Sequence, residues 1–470
     1  MTPRRRPHLC VVGAGIAGLA AAYEAVSAGA EVTVVDSALR AGGKIETSPL
    51  AGIQLDAGPD AFLARVPHAT ELCCELGLGD SLVAPAARKA YLWARGELRP
   101  FPERLLLGVP TDLAAVERSQ VLTREGLARA AEDLNRPADG PPPGTDEAVG
   151  DLVRRRLGDE AFETLVDPLL SGVFAGEADR LSLLAGAPQI AAAARSGPSL
   201  IAGARAQLGA AAVDPEAPVF LTLVGGLGRL VEALVAAIGP QRIHLGTAAR
   251  ALRQLDDGRY QLSLGRAAGD PPADLAVDGV VLTAPAWVSA GLIGGLAPRA
   301  AELLAGIEYA SVTLVSLAYH PDAVNRPLDG SGFLVPRSTG QLMTACSWAS
   351  SKFGHLGGDG VVRLRVSAGR WGDERAERMN EQELLAALRH DLSVTMGIYA
   401  EPTEVRVNRW PRSLAQYTVG HLERVAEIEA DTMQAGPALA VTGAAFRGVG
   451  LPMGIHQGRS AARSVLARLG

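Results

Sequence analysis

An α/β fold organised around a parallel sheet is predicted by three neighbouring features: an apolar run closed by glycine, a helix-forming stretch directly behind it, and a β-branched strand that follows. Leu9-Cys-Val-Val-Gly13 has the unbroken hydrophobicity of a strand buried on both faces. Leu19 to Val26 are good helix formers, and Gly29 supplies the stop. Glu31-Val-Thr-Val-Val-Asp36 is the second strand, so the three pieces make one strand–helix–strand unit of about 30 residues.

Composition limits what such a fold can be doing. The chain has 470 residues, 48% hydrophobic and 20% charged, which suits a compact protein of two or three domains. Glycine is frequent at 54 residues and aromatics are scarce at 4%, so tight helix–sheet packing is expected rather than a surface for stacking bases. A net charge of −6 excludes a nucleic-acid partner, which calls for a basic footprint; the dense basic run is confined to Arg4, Arg5 and Arg6. Cys10, Cys73, Cys74 and Cys346 form no CxxC, and the eight histidines form no HExxH, so no metal site is expected. The basic start followed by Leu9 to Ala22 imitates a secretory signal, but glycines at 13, 15 and 18 break the apolar run. No uninterrupted apolar stretch of ~20 residues predicts a membrane span.

Further along, residues 136–150, with Pro141-Pro-Pro-Gly144, read as a loop, as do residues 196–218 apart from some alanine-rich helix. Leu223-Val-Gly-Gly226, a helix over Leu230 to Ile238 and a strand over Ile243 to Leu245 look like a second nucleotide-domain stretch. A meander over Ala249 to Tyr260, turning at Asp257-Gly258, leads back to the sheet through Gly279-Val-Val-Leu-Thr283. Strands dominate 311–367, Ala438 to Gly443 is a further buried strand, and Ile455 to Leu469 is a closing helix.

The turn between the first strand and helix is Gly13-Ala14-Gly15-Ile16-Ala17-Gly18. In this pattern the first glycine allows the tight turn, the second lets backbone approach a pyrophosphate, and the third permits close helix–strand packing. The helix start adds free N–H groups and partial positive charge. Asp36, followed by Ser37, stands 18 residues after Gly18, where a carboxylate accepts bonds from ribose hydroxyls. Together these make a Rossmann-like dinucleotide site, shared by NAD and FAD proteins alike.

Beyond Asp36 the sequence resembles a known family. Arg40-Ala-Gly-Gly-Lys44 is similar to the R-x-G-G-[RKW] element of the FAD-containing amine oxidase and protoporphyrinogen oxidase superfamily. Asp56-Ala-Gly-Pro-Asp-Ala-Phe-Leu63, Phe101 to Pro110, Leu170-Ser-Gly-Val-Phe-Ala-Gly-Glu-Ala-Asp-Arg-Leu-Ser182, Thr344 to Trp348, Arg409 to Tyr417 with Gly420-His421, and Thr442 to Pro452 resemble segments of the bacterial coproporphyrinogen III and protoporphyrinogen IX oxidases, across essentially the whole chain. The resemblance implies an α/β fold with a Rossmann-like FAD-binding domain assembled from residues 1–90, 219–295 and 408–470. It also implies a mixed-sheet substrate domain over 91–100 and 296–407, and a mainly helical insertion over 101–218. It further implies six-electron oxidation of a porphyrinogen by hydride transfer to flavin N5, with O₂ as acceptor and hydrogen peroxide released.

By matching motifs, Gly13 to Gly18, Asp36 and Ser37 are expected at the pyrophosphate and ribose, and Arg40, Gly43 and Lys44 close to the cofactor. Gly58, Pro59, Asp60 and Ala61 are expected along the flavin, Ala249 at the adenine through its backbone, and Trp410, Val449, Gly450 and Leu451 over the isoalloxazine. Arg65, Arg95, Arg104 and Lys352, with Gly172, are the candidates for substrate, since propionates want arginine or lysine. Val66-Pro67 replaces a basic pair and Ser367 replaces a tyrosine common in relatives, which leaves coproporphyrinogen III, the first choice, open against protoporphyrinogen IX. No catalytic acid or base is named. A flavin amine oxidase and a cofactor-free escort protein of the same fold are the alternatives; the intact glycine loop with Asp36 speaks against the second. A cytoplasmic enzyme, monomer or homodimer, with at most weak peripheral contact with a membrane, is expected.

Overall fold

The structure is a computed structural model that describes residues 5–137, 139–210, 217–265 and 273–470, so Arg4 of the basic run and residues 211–216 of the expected 196–218 loop lie outside it. Its first sheet is five-stranded and wholly parallel, in the order Ile243–His244, Glu31–Val35, His8–Val12, Gly279–Leu282, Leu439–Val441. Leu9, Cys10, Val11, Val280, Val281 and Leu282 are fully buried, as a sheet covered on both faces requires. The helix Ile16–Ser27 leaves the glycine loop and buries Leu19, Ala20, Ala21, Ala22 and Ala25.

The last helix, Leu451–Leu469, packs on that first helix. Contact is close because glycine faces it: a Cβ on Gly458 would overlap the carbonyl oxygen of Ala17, and one on Gly454 would lie 3.2 Å from the Ile16 side chain. These small residues set the helix separation, and with it where both helices begin.

The second sheet is seven-stranded, in the order Glu404–Ala415, Tyr309–Tyr319, Val362–Ala368, Met343–Trp348, Gly332–Leu334, Tyr91–Ala94, Glu97–Pro100. It is antiparallel except where Gly332–Leu334 runs alongside Tyr91–Ala94. Helix Glu381–Met396, opened by an Asn380–Glu383 capping box, buries Leu384, Leu388 and Leu392 in the core that this sheet shares. Helices dominate 113–210, where the buried Asp133 carboxylate binds Arg156 and accepts from Ile201 N at 2.8 Å.

Two expectations change and one is sharpened. The alanine-rich helix allowed within 196–218 covers residues 200–210, where a side chain on Gly203 would strike the backbone of Ala193, so this glycine serves helix–helix packing. Phe220–Leu223 is not a strand of the nucleotide sheet but pairs antiparallel with Phe62–Leu63 and Leu82–Val83. The positive φ of Gly226, +91°, turns the chain there, and the Asp56 carboxylate accepts from Leu227 N at 3.0 Å, so only Ile243–His244 reaches the parallel sheet. Residues 408–415, grouped with the nucleotide segments, continue the edge strand Glu404–Ala415, because its pairing with Tyr309–Tyr319 runs through Trp410 to Ala415. The meander forms as its own three-stranded sheet, Ala248–Gln254, Tyr260–Gly265 and Ala273–Val277, before the chain re-enters the parallel sheet.

Gly458→Ala forces the first and last helices apart and is expected to cost about 1–3 kcal/mol of stability. Denaturant unfolding measures this; an unchanged midpoint would show that the crossing is not tightly packed.

Candidate functional site

Two helix starts meet at one place. Neither the first helix, with Gly15 at its N-cap, nor the last, with Gly450, has a side-chain cap or an acidic residue in its first turn. The opening N–H groups of a helix have no partner within it and carry partial positive charge, so this pair suits an anion brought by a ligand. Gly13 has φ +110°, and a Cβ there would lie 2.6 Å from Thr283 Oγ1, so only glycine fits.

The second glycine loop closes onto the first. Gly42 N donates to Ala14 O at 2.8 Å, and a Cβ on Gly43 would stand 3.1 Å from Gly15 Cα. Arg40 shapes this loop from within: its guanidinium donates to Gly43 O at 2.7 Å and Ile45 O at 3.0 Å and pairs with Glu46 at 2.7 Å. Arg40 was expected close to the cofactor; both of its terminal nitrogens are engaged inside the loop, while its guanidinium lies 5.8 Å from the Trp410 ring centre.

Asp36 ends the second strand. Its carboxylate accepts from Ala14 N at 2.6 Å and Ala38 N at 2.8 Å, one bond per oxygen, which leaves lone pairs on both. Ser37 beside it is exposed. Gly246 N donates to Ala38 O and Thr247 N to Asp36 O, each at 2.8 Å, and this brings Ala249 to the same end of the sheet.

A wall runs from these loops to the seven-stranded sheet. The Trp410 indole donates to Ala57 O at 3.0 Å, and a Cβ on Gly58 would overlap Lys44 O and approach Trp410 to 3.8 Å. Lys44 is exposed as a residue, yet its ammonium donates to Ser413 O at 2.6 Å, and desolvation of that end pushes it down to about 8. Pro59 and Ala61 flank Asp60, whose carboxylate meets Lys352 at 3.0 Å and Arg365 at 2.6 Å. Burial alone would raise Asp60, but the two cations outweigh it and hold the carboxyl down to about 2.

Arg365 also donates to Gly58 O, and Arg406 donates to Ser48 O at 2.8 Å and Leu55 O at 3.1 Å. Sequence reasoning missed both arginines. The signal for Arg365 was there in Val362-Arg-Leu-Arg-Val366, where cations interrupt an otherwise apolar strand, and that for Arg406 in Val405-Arg-Val407, where a cation again stands between valines. Val449 is partly buried and Gly450 exposed at the start of the last helix, while Leu451 is buried.

The substrate candidates fare differently. Lys352 is partly buried and pairs with Asp60 at 3.0 Å. Arg65, Arg95 and Arg104 stand on separate exposed turns; Arg95 and Arg104 have positive φ values of 56° and 59°. Gly172 faces Leu334, whose Cδ2 would lie 3.9 Å from an added Cβ, and the neighbouring Val173 is 49% exposed. Among the described residues no cluster of His, Cys, Asp and Glu could hold a metal ion.

The family model described as flavin containing amine oxidoreductase matches residues 16–466. The chain is similar to the coproporphyrinogen III oxidase of Bacillus subtilis, at 33% identity over 99% of both chains. It is also similar to that of Mycobacterium bovis, at 35% over 100% of this chain and 99% of the relative. A crystal structure from Exiguobacterium sp. 255-15, provisionally named a protoporphyrinogen oxidase, superposes with a TM-score of 0.87 at 31% identity, covering 99% of this chain and 100% of that one. A putrescine oxidase structure at 18% identity and a TM-score of 0.71 shares the fold.

Asp60→Asn strands two buried cations and is expected to cost about 3 kcal/mol at neutral pH. Because the folded carboxyl titrates near 2 against an ordinary value of 3.8, its contribution is complete above about pH 4 and lost as the pH falls towards 2. Denaturant unfolding of both proteins should therefore converge over that window; a gap that stays constant down to pH 2 would contradict the assignment.

Proposed function

The chain belongs to the flavin containing amine oxidoreductase family, and from that premise we propose that it binds FAD and oxidises coproporphyrinogen III to coproporphyrin III, a six-electron reaction with O₂ as acceptor and hydrogen peroxide as by-product, within haem biosynthesis. The observation that carries this reading is full-length similarity, at 33% and 35% identity, to proteins named for that activity.

The residues present suit a flavin dinucleotide. Two uncapped helix starts without acidic residues provide donors for a pyrophosphate; glycines 13 and 43 stand where a side chain would crowd the protein, and Gly15 faces open space where its backbone is free to meet a ligand. Asp36 has acceptor capacity left for ribose hydroxyls, and Ala249 offers backbone to the adenine. Gly58 to Ala61, Lys44, Trp410 and Val449 to Leu451 form the flavin wall. When bound, flavin supplies the two-electron acceptor, and the protein supplies position and electrostatics. Lys44, held by Ser413 O, keeps a cation at this wall. The apolar Gly172, Val173 and Leu334 suit the tetrapyrrole, and the exposed Arg65, Arg95 and Arg104 suit its propionates. No side chain is assigned as acid or base.

We assign residues 1–90, 219–295 and the chain beyond 415 to the FAD domain. The strand Glu404–Ala415 goes with 91–100 and 296–403 in the substrate sheet, and 101–218 forms the insertion. No helix among the described residues is long and apolar enough to cross a membrane, and we place the enzyme in the cytoplasm, as a monomer or homodimer, with at most weak peripheral membrane contact. Protoporphyrinogen IX is the second reading, favoured by 30% identity over 88% of this chain to a chloroplastic protoporphyrinogen oxidase of Arabidopsis thaliana.

Purified protein supplemented with FAD should show flavin absorbance, and porphyrin fluorescence should grow faster from coproporphyrinogen III than from protoporphyrinogen IX, with hydrogen peroxide released. A colourless protein would sink the flavin reading, and a yellow one that oxidises amines but neither porphyrinogen would sink the substrate. Asp36→Ala is expected to weaken FAD binding by about tenfold to a hundredfold, read by flavin fluorescence titration, as loss of charge-assisted hydrogen bonds predicts.

A further inference from the structure

We infer that Tyr417 and His421, a stacked pair buried behind the loop that leads to Val449, Gly450 and Leu451, are positioning residues that set where this segment stands against the flavin. The inference rests on the flavin reading above and gives a role to two side chains that touch neither glycine loop.

The rings lie 4.0 Å apart and 14° from parallel, at 1% and 0% exposure. His421 Nε2 is 2.9 Å from Phe446 O; a carbonyl only accepts, so Nε2 carries the proton and Nδ1 is bare. Nδ1 is buried without a partner, and burial pushes the imidazole down to about 4, so it is neutral near pH 7. The Tyr417 hydroxyl donates to Ala444 O at 2.8 Å and accepts from Gly448 N at 3.1 Å, joining both ends of the turn whose middle His421 holds. Gln457, on the last helix, accepts from Arg447 N at 2.9 Å and donates to Gly448 O at 3.2 Å.

The polar backbone of 444–448 is thus matched from two outside elements. A buried turn needs its N–H and C=O groups paired, but pairing to outside side chains fixes its location as well as its shape. Gly448 and Gly450 have φ of +109° and +93°, conformations that the anchors must maintain.

The same pair faces the substrate side. Tyr417 O accepts from Ser182 N at 2.7 Å, Gly420 N donates to Asp146 Oδ2 at 2.9 Å, and Asp146 Oδ2 also accepts from Ser182 Oγ at 2.7 Å. The Phe174 ring, at the end of the helix carrying Gly172, lies 5.5 Å from that of Tyr417. Helical insertion and flavin segment are therefore referenced to one stacked pair.

Tyr417→Phe keeps the ring and loses the bridge, His421→Phe keeps the stack and loses the donor, and His421→Gln restores an N–H. In the first two, with far-UV circular dichroism retained, FAD Kd should rise by about tenfold, the visible flavin envelope should change, and kcat should fall more than KM rises. His421→Gln should recover most of the Kd and the envelope. Wild-type Kd, envelope and kcat in folded Tyr417→Phe and His421→Phe would overturn the inference, as would a His421→Gln that recovers neither the Kd nor the envelope. Amide exchange at Arg447 and Gly448, slow in the wild type and faster in both Phe variants, measures the pair without flavin. A colourless wild type with that exchange pattern would fault the flavin reading alone, and unchanged exchange would fault the pair.

Discussion

The close crossing of the first and last helices is the constraint from which the rest of the site follows. Gly458 lies over the backbone of Ala17 and Gly454 over Ile16, so the two axes come nearer than side chains would allow. The first helix begins at this crossing and the last begins one turn before it. A single helix start offers a weak, screened anion site; here the Gly42–Gly43 loop is closed over Gly15 as well, which adds backbone to the first of the two. Here alanine and glycine are the functional residues, through the volume they leave.

The second organising element is electrostatic. Asp60, Lys352 and Arg365 form a largely buried cluster between the Gly58–Ala61 segment and the seven-stranded sheet, and Arg406 donates across the same junction to the Ser48 and Leu55 carbonyls. Buried ion pairs contribute little net stability compared with apolar packing, but they are directional, and breaking one is costly. That suits a junction whose task is to hold Trp410 and Gly58 in register.

Legibility in the sequence divides along the same line. Strand, glycine loop, helix and Asp36 were readable because each is local: periodicity and spacing determine them within a few tens of residues. The partners of charged side chains were not. Lys352 and Arg40 carry no sign in the sequence of the Asp60 carboxylate or of the Gly43 and Ile45 carbonyls that they bind, which stand elsewhere in the chain or in a loop whose shape the spacing does not reveal. Leu223-Val-Gly-Gly226 imitates the first nucleotide turn, and only the Asp56 bond to Leu227 shows that it bends the chain away.

The parallel sheet draws its strands from four stretches of chain, and the last of them, Leu439–Val441, comes with the helix that covers the first. During synthesis the opening strand–helix–strand unit therefore leaves the ribosome long before its cover exists. The alanine face of Ile16–Ser27 must wait, wet and unpaired, while the helical insertion and the large sheet are made. Pairings so distant in sequence form slowly and leave apolar surface open to wrong partners. The parallel sheet and its cover are thus complete only once the helix Leu451–Leu469 has been made, about 420 residues after the strand–helix–strand unit that it protects.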